Sequence, residues 1–164
     1  MPILDSRTLE FFSRSADQTR RLGMRLGPLL KKGDVVLLMG DLGSGKTTFV
    51  QGLAQGFGSL DPVSSPTFVI MNVYRRPDGL NLVHMDAYRL SSSVEAEEMD
   101  LEMFLESGVL VVEWPENVQA AMPKEYLEVK MRWLADEQRG LIFYPYGKRY
   151  DELSEEYRRR VVGG

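Results

Sequence analysis

Hydrophobic and polar residues follow two periods along this chain, and each period predicts one kind of secondary structure. Residues 35–39 and 109–112 are apolar at every position, which is typical of strands covered on both faces of a parallel sheet. Residues 127–133 alternate apolar with charged side chains, which predicts an antiparallel strand with one face in water. The chain is therefore expected to combine buried strands with at least one strand at the surface.

Between the predicted strands, apolar residues recur at the spacing of an α-helix. Phe49, Leu53 and Phe57 recur every four residues, so we expect an amphipathic helix over residues 47–57 that ends at Gly58. The other expected elements, in chain order, are an edge strand over 8–12, a helix capped by Ser15 and Gln18 that Pro28 kinks or ends, a hairpin of 68–74 and 80–86, one or two short helices within 94–106, a strand over 141–144 stopped by Pro145, and a short terminal helix carrying Leu153, Tyr157 and Val161. Strands that alternate with helices in this way indicate an α/β fold.

Composition narrows the classes of protein that fit. The chain has 164 residues, 43% of them apolar and 27% charged, which is ordinary for a single globular domain. Its net charge of −4 argues against a broad basic face that grips nucleic acid. With no cysteine and a single histidine, His84, neither a thiolate site nor a His-rich metal site can form. The chain shows no secretory signal and no apolar stretch long enough to span a membrane, so we expect a soluble cytoplasmic protein without membrane partners.

The strongest motif is a glycine-rich turn between the predicted strand at 35–39 and the predicted helix at 47–57. Residues 40–47 read Gly-Asp-Leu-Gly-Ser-Gly-Lys-Thr, which matches the P-loop pattern G-x-x-x-x-G-K-[ST]. Glycines allow successive N–H groups to curve around an anion, and the helix N-terminus favours phosphate. We expect Lys46 to reach the β- and γ-phosphates of a nucleotide and the Thr47 hydroxyl to bind Mg²⁺.

Two acids stand at the ends of apolar strands and are candidates for metal and water chemistry. Asp86 follows residues 80–85, and Glu113 follows residues 109–112. Ligands of open α/β sheets bind at the carboxyl ends of the strands. We assign the shorter Asp86 to Mg²⁺ and Glu113 to the attacking water, although each acid could instead cap a turn or pair with an arginine.

Neighbouring residues suggest further contacts. Trp114 is a candidate platform for stacking on a base, although packing in the core is the commoner role of a single tryptophan. His84 either orients Asp86 or is a buried neighbour. No Asn-Lys-x-Asp stretch that would read guanine occurs, so ATP is favoured over GTP. The absence of a long arginine-rich lid segment weakens the interpretation as a small-molecule kinase.

Four motifs together resemble the TsaE family, the P-loop ATPases of bacterial tRNA threonylcarbamoyladenosine synthesis. They are Gly-Asp-Leu-Gly-Ser-Gly-Lys-Thr-Thr at 40–48, Ser-Pro-Thr-Phe at 65–68, His-Met-Asp-Ala-Tyr-Arg-Leu at 84–90 and Val-Glu-Trp-Pro-Glu at 112–116. Their order and spacing also match, and the similarity covers roughly residues 9–157. The P-loop by itself occurs in many families, whereas the combination of all four motifs is specific.

The resemblance implies a fold, a site and a function. It implies one P-loop ATPase domain over residues 1–164, a three-layer α/β fold with a P-loop NTPase-like core and a mixed sheet extended by antiparallel hairpins. The nucleotide-binding residues that it implies are Asp41, Leu42, Gly43, Ser44, Gly45, Lys46, Thr47, Thr48 and Trp114, the last stacking near adenine. It assigns Mg²⁺ to Thr47 and Asp86, and hydrolysis to Glu113 and Lys46 with Thr67 in a switch-like loop.

The implied activity is slow, Mg²⁺-dependent ATP hydrolysis that partners stimulate. Such a protein supports a transferase heterodimer that places the threonylcarbamoyl group on the adenosine beside the tRNA anticodon, and its contact with tRNA is mostly indirect. Two other functions remain open. One is a P-loop kinase acting on a small molecule, and the other is an interaction module that a bound nucleotide switches.

Overall fold

A seven-stranded mixed sheet runs through the computed structural model, which describes residues 7–63, 71–90, 97 and 100–163. The strands are β1 Leu9–Ser13, β2 Val35–Met39, β3 Met71–Tyr74, β4 Asn81–Asp86, β5 Gly108–Glu113, β6 Tyr126–Ala135 and β7 Gln138–Tyr146. They lie side by side in the order β1-β7-β6-β2-β5-β4-β3. The pairs β6–β2, β2–β5 and β5–β4 are parallel, and the outer pairs are antiparallel.

Helices cover both faces of this sheet. The α-helices are α1 Ala16–Leu26, α2 Lys46–Phe57, α3 Leu101–Leu105 and α4 Lys148–Val162, with 3₁₀ turns at Gly27–Leu29 and Pro115–Ala121. One core cluster joins α1, α2 and α4 to the sheet, and a second core cluster joins α3 and the later 3₁₀ turn to the other face. Among the described residues, no helix is both long and apolar enough to cross a membrane.

The central strands β2 and β5 are buried on both faces of the sheet, which explains why their sequences are apolar throughout. Val36 and Leu38 of β2 are buried in the cluster under α1 and α2, whereas Val35 and Leu37 are buried in the cluster on the opposite face. Every residue of β5 is buried as well. A strand with both faces covered requires apolar side chains at odd and even positions alike, and the predicted buried strands are confirmed.

Helices α1 and α2 pack closely because glycines line their contact. A Cβ atom added at Gly52 would lie 1.9 Å from the carbonyl oxygen of Arg20, and one added at Gly56 would lie 2.0 Å from that of Met24. A Cβ atom added at Gly23 or at Gly27, in α1 and the turn after it, would lie 2.3 Å from a backbone carbonyl oxygen of α2. The sequence analysis did not predict this contact, although glycines spaced four residues apart in both segments are its signature.

Several predicted boundaries shift in the structure. The alternating strand β6 is antiparallel to β7 as predicted, but it is also parallel to β2. The prediction that Pro145 stops its hairpin partner is wrong, because β7 continues to Tyr146 and Pro145 lies opposite Leu127. The hairpin of β3 and β4 is confirmed over its described residues, while residues 68–70 lie outside them.

The predicted ends of α1 are confirmed. The N–H of Gln18 donates to Ser15 Oγ at 3.1 Å, and Gln18 Oε1 accepts from the N–H of Arg14 at 2.8 Å. This reciprocal pattern satisfies donors that the first turn of a helix leaves free. At the other end, α1 stops at Leu26 and Pro28 lies in the following 3₁₀ turn, because proline cannot continue an α-helix.

Candidate functional site

The glycine-rich loop connects the carboxyl end of β2 to the first residue of α2. Gly40, Gly43 and Gly45 have positive φ angles of 152°, 81° and 99°, a region that favours glycine. Space also requires glycine at Gly40, where an added Cβ would lie 2.5 Å from the carbonyl oxygen of Met131. No side chain of the described residues caps the N-terminus of α2, so the loop presents free N–H groups to an anion.

Lys46 is the first residue of α2 and turns back over this loop. Its ammonium donates to the carbonyl oxygens of Gly40 and of Asp41, the latter at 3.1 Å. Burial lowers the pKa of Lys46, while the negative charges of Glu113 and Asp86 act in the opposite direction. A buried ammonium beside a loop of free N–H groups is suited to bind phosphate oxygens.

The two candidate acids come together at one edge of the sheet. Asp86 and Glu113 are the last residues of the neighbouring parallel strands β4 and β5, and they lie opposite each other in the register. The N–H of Tyr88 donates to Asp86 Oδ1 at 2.9 Å. Burial, with a smaller contribution from the charge of Glu113, raises the pKa of Asp86, so this carboxylate is poised to accept a cation.

Glu113 has a different environment from Asp86. Its side chain is buried and its Oε2 atom lies 2.6 Å from Nε2 of His84, which is also fully buried. The hydroxyl of Tyr74 lies 3.3 Å from the other ring nitrogen, Nδ1. The prediction left open whether His84 orients Asp86, and the structure instead joins His84 to Glu113.

Trp114 follows Glu113 and lies beside Lys46 at the glycine-rich loop. The ammonium of Lys46 is 4.4 Å from the centroid of the Trp114 ring, a cation–π geometry. The ring of Tyr88 packs on the indole with centroids 4.9 Å apart. The structure therefore places Trp114 beside the lysine, and stacking of its ring on adenine stays a prediction.

Backbone contacts hold this edge of the sheet together. Trp114 has a φ of 57°, a left-handed conformation that turns the chain sharply after β5. The carbonyl of Glu113 accepts from the N–H of Ala87 at 2.9 Å. The amide of Asn117 donates to the carbonyls of Ala87 and Tyr88 at 3.0 and 3.2 Å. These bonds fix the segments after β4 and β5 relative to each other.

The chemistry of the side chains fits a nucleotide with Mg²⁺. Ser44 Oγ, inside the loop, is buried and has no hydrogen-bond partner within the described part of the chain. A buried hydroxyl without a partner is costly unless a ligand supplies one. The candidate metal ligands, the Thr47 hydroxyl and the Asp86 carboxylate, offer the oxygen donors that Mg²⁺ prefers. The described residues contain no cluster of three His, Cys, Asp or Glu side chains that could hold a metal ion.

The structure brings together most of the residues that the sequence analysis selected. Lys46, Trp114, Asp86 and Glu113 interact directly or electrostatically, and the loop residues Asp41, Leu42, Gly43, Ser44 and Gly45 with Thr47 and Thr48 surround the start of α2. Leu42 is 71% exposed at the tip of the loop. Thr67 lies outside the described residues.

Two further residues were not predicted as parts of the site. Tyr74 contacts His84 from the neighbouring strand β3, and Asn117 bridges the segments after β4 and β5. Asn117 directly follows the motif at residues 112–116, so its position next to that motif was the available signal. Tyr74 had none, because its contact depends on how β3 pairs with β4.

The fold and the site define a mixed α/β protein whose glycine-rich loop faces two strand-end acids. A family model described as "Threonylcarbamoyl adenosine biosynthesis protein TsaE" matches residues 13–141. The chain belongs to the TsaE family, and thus to the proteins of tRNA threonylcarbamoyladenosine biosynthesis.

Relatives and a solved structure agree with this assignment. The tRNA threonylcarbamoyladenosine biosynthesis protein TsaE of Bacillus subtilis is 39% identical over 92% of this chain and 94% of its own length. That of Streptomyces coelicolor is 46% identical over 68% of this chain and 77% of its own length. The crystal structure of Bacillus subtilis YdiB matches with a TM-score of 0.77 and 32% identity, covering 93% of this chain and 95% of that one.

Proposed function

We propose that this protein hydrolyses ATP with Mg²⁺ and thereby supports formation of the threonylcarbamoyl group on the adenosine beside the tRNA anticodon. The proposal takes the fold as a P-loop NTPase-like core. One observation carries it: the ammonium of Lys46 lies over the glycine-rich loop and within the electrostatic reach of both Asp86 and Glu113. Phosphate binding, metal binding and activation of water can therefore occur at one place.

The loop and Lys46 bind the triphosphate in this proposal. The free N–H groups at the start of α2 donate to phosphate oxygens, and Lys46 leaves the carbonyl of Asp41 to contact the β- and γ-phosphates. Thr47 and Asp86 would hold Mg²⁺, which would supply positive charge beside the phosphate oxygens when bound. Trp114 packs against the lysine and excludes water from it.

Glu113 activates the water in this proposal. One carboxylate oxygen accepts a proton from the water while the water oxygen forms a bond to the γ-phosphorus. The bond from the γ-phosphorus to the bridging oxygen breaks, so the products are ADP and inorganic phosphate. The carboxylate then returns the proton to solvent or phosphate. Thr67 is proposed to contact the γ-phosphate from its loop.

Partners complete the activity. We propose that hydrolysis is slow in the isolated protein and faster with the transferase heterodimer of the pathway, because many nucleotide hydrolases acquire a missing group from a partner. The exposed side chains of Leu42 and Tyr88 beside the loop are available for such a contact. The net charge of −4 supports a role through protein partners, with mostly indirect contact with tRNA.

The test compares Glu113→Gln with the wild type. Release of phosphate should fall about 10²–10⁴-fold, the range for loss of a general base, while ATP binding persists. Glu102→Gln, an exposed carboxylate on α3, serves as the matched control and should keep the wild-type rate. Hydrolysis by Glu113→Gln at the wild-type rate would contradict the assigned role.

The same variant separates the other candidate functions. A Glu113→Gln protein that no longer hydrolyses ATP but still supports tRNA modification would favour an interaction module that nucleotide binding switches. Transfer of the γ-phosphoryl group to a small molecule, without release of free phosphate, would favour a kinase. The first outcome is read from modification reactions that contain the heterodimer and tRNA, and the second from wild-type protein with labelled ATP and a mixture of small-molecule metabolites.

A further inference from the structure

We infer that His84 is a positioning residue that holds the Glu113 carboxylate in a single orientation and is itself held by Tyr74. This inference rests on the proposed function, since it assumes that Glu113 activates water. It concerns three side chains on three neighbouring strands, β3, β4 and β5. Their hydrogen bonds form a chain that leads from the edge of the sheet to the candidate site.

The register of the strands produces the contact between His84 and Glu113. His84 lies opposite Val111 in the parallel pair β4–β5, and Glu113 is two residues further along β5. Residues two apart on a strand point to the same face, so both side chains lie diagonally adjacent on the face that α2 covers. Their 2.6 Å distance is that of a strong hydrogen bond.

Tyr74 selects which ring nitrogen of His84 carries the proton. Its hydroxyl lies 3.3 Å from Nδ1, and it is buried on the antiparallel neighbour β3. When this hydroxyl donates to Nδ1, the hydrogen of a neutral imidazole resides on Nε2 and is donated to Glu113. A partner on one nitrogen commonly fixes the role of the other in this way.

The bond leaves the two oxygens of Glu113 unequal. Oε2 accepts from His84, whereas Oε1 receives no hydrogen bond from the described residues. The carboxylate is thus prevented from rotating, and Oε1 is the atom available to accept a proton from water. The backbone of Glu113 is also fixed, because its carbonyl accepts from Ala87 at 2.9 Å.

The burial of the hydrogen-bonded pair His84 and Glu113 indicates that the pair does more than fill space in the core. His84 is completely buried and Glu113 is 4% exposed, and apolar neighbours such as Val111 and Leu82 lie on the same face. Apolar side chains of similar volume at these places would avoid the cost of removing polar groups from water. Retaining a hydrogen-bonded carboxylate here is explained by a requirement for its orientation.

Replacing His84 by glutamine or by asparagine tests whether the hydrogen-bond donor to Glu113 must lie at the position of Nε2. The side-chain amide nitrogen of His84→Gln reaches about as far as Nε2, while that of His84→Asn reaches about as far as Nδ1. We expect His84→Asn to lower kcat for ATP hydrolysis about 10–100-fold, as for loss of a residue that orients a functional ligand. We expect His84→Gln to restore at least part of this loss, and both variants to keep the affinity for ATP within about twofold.

A third variant, Tyr74→Phe, removes only the hydroxyl and keeps the ring. It should lower kcat by a smaller factor, about 2–10-fold, with unchanged affinity, because Nδ1 loses its partner and the imidazole can protonate on the wrong nitrogen. The value of kcat is measured by steady-state phosphate release with and without the heterodimer, affinity by calorimetry, and folding by thermal melts.

The outcomes separate this inference from the function on which it rests. Wild-type kcat in His84→Asn, or losses of kcat and affinity that follow the melting temperature in every variant, would overturn the positioning role alone. Failure of the wild-type protein to release phosphate, with or without partners, would overturn the proposed function and this inference together. A selective loss of kcat, partly rescued by glutamine, would support both.

Discussion

Asp86 and Glu113 end two neighbouring parallel strands directly opposite each other, yet different groups hold them. Asp86 Oδ1 accepts from the backbone N–H of Tyr88 at 2.9 Å, whereas Glu113 Oε2 lies 2.6 Å from a buried histidine ring. Asp86 is only partly buried and Glu113 is almost fully buried. The two acids therefore suit different tasks, one toward a cation and the other toward a neutral molecule such as water.

The first prediction tests the metal-binding role that we propose for Asp86. Asp86→Asn keeps the shape of the side chain but removes the negative charge that a cation requires. We expect the Mg²⁺ concentration for half-maximal ATP hydrolysis to rise at least about tenfold, because Mg²⁺ loses a charged oxygen ligand. A titration of phosphate release against Mg²⁺ measures the effect.

The control for Asp86 is Asp17→Asn, whose carboxylate is exposed on α1 and should leave the titration unchanged. Equal Mg²⁺ dependence of Asp86→Asn and the wild type would show that the metal is held elsewhere. A fall in the maximal rate without a shift in the titration would assign Asp86 to water or phosphate instead.

The second prediction uses the contact between Lys46 and Trp114. The chain has two tryptophans, so Trp133→Phe leaves Trp114 as the only indole, and Trp114→Phe leaves Trp133. Nucleotide binding should turn the ammonium of Lys46 from the loop carbonyls toward the phosphates and so change its distance and angle to the indole, which is 4.4 Å to the ring centroid in this structure. We therefore expect Mg²⁺-ATP to change the emission of Trp133→Phe strongly and that of Trp114→Phe only weakly.

Affinity provides a second measurement on the same two proteins. A cation–π contact contributes about 0.5–2 kcal/mol, and phenylalanine offers a weaker face than tryptophan. We expect Trp114→Phe to change ATP affinity by no more than about tenfold. A larger response from the protein that retains only Trp133 would place the nucleotide beside β6 and contradict the role given to Trp114.

Much of the sheet could be predicted from the sequence, because a strand that is buried on both faces has apolar residues at every position. The runs at Val35–Met39 and 109–112 became the strands β2 and β5. The alternation at 127–133 predicted the strand but only part of its wet face, because Glu128 is buried and Trp133 is 57% exposed. It also carried no information about which strand lies on its other side. Its parallel pairing with β2 depends on how the whole chain folds.

The candidate site could be predicted only where local sequence determines geometry. A glycine-rich turn between a strand and a helix positions Lys46 and its loop through local backbone conformation alone. The bond from His84 to Glu113 instead requires the register of two strands that are distant in sequence, and the bond from Tyr74 requires a third. Such contacts follow from tertiary structure and leave no local pattern.

The third prediction concerns the glycines between α1 and α2. Gly52→Ala would place a methyl group 1.9 Å from the carbonyl oxygen of Arg20, so the helices must separate. We expect the free energy of unfolding to fall by about 1–3 kcal/mol, the usual cost of overpacking, despite the higher helix propensity of alanine. Chemical denaturation measures the change.

The exposed Gln55 of the same helix supplies the control. Gln55→Ala introduces the same residue into α2 but faces solvent, so its stability should stay within about 0.5 kcal/mol of the wild type. If Gly52→Ala were as stable as Gln55→Ala, the close approach of the two helices would not occur in solution.

The last prediction concerns Glu128, a buried carboxylate on β6. Burial raises the pKa of Glu128 above its usual value of 4.5, and Lys130, with Nζ 3.6 Å from Oε1, only partly opposes this. The folded protein then holds this proton more tightly than the unfolded chain does. Stability from this group is therefore fully present below pH 4.5 and is lost as pH rises through the higher folded pKa.

Replacing the Glu128 carboxylate by an amide removes the loss of stability that follows from its ionisation. Glu128→Gln should melt at a higher temperature than the wild type at pH 7, and the difference should shrink as pH falls toward 4.5. Thermal melts of both proteins across this range measure it, with Glu102→Gln on the exposed face of α3 as the control that should show no such trend. A Glu128→Gln protein that is less stable at pH 7 would mean that the ion pair with Lys130 outweighs the cost of burying the charge.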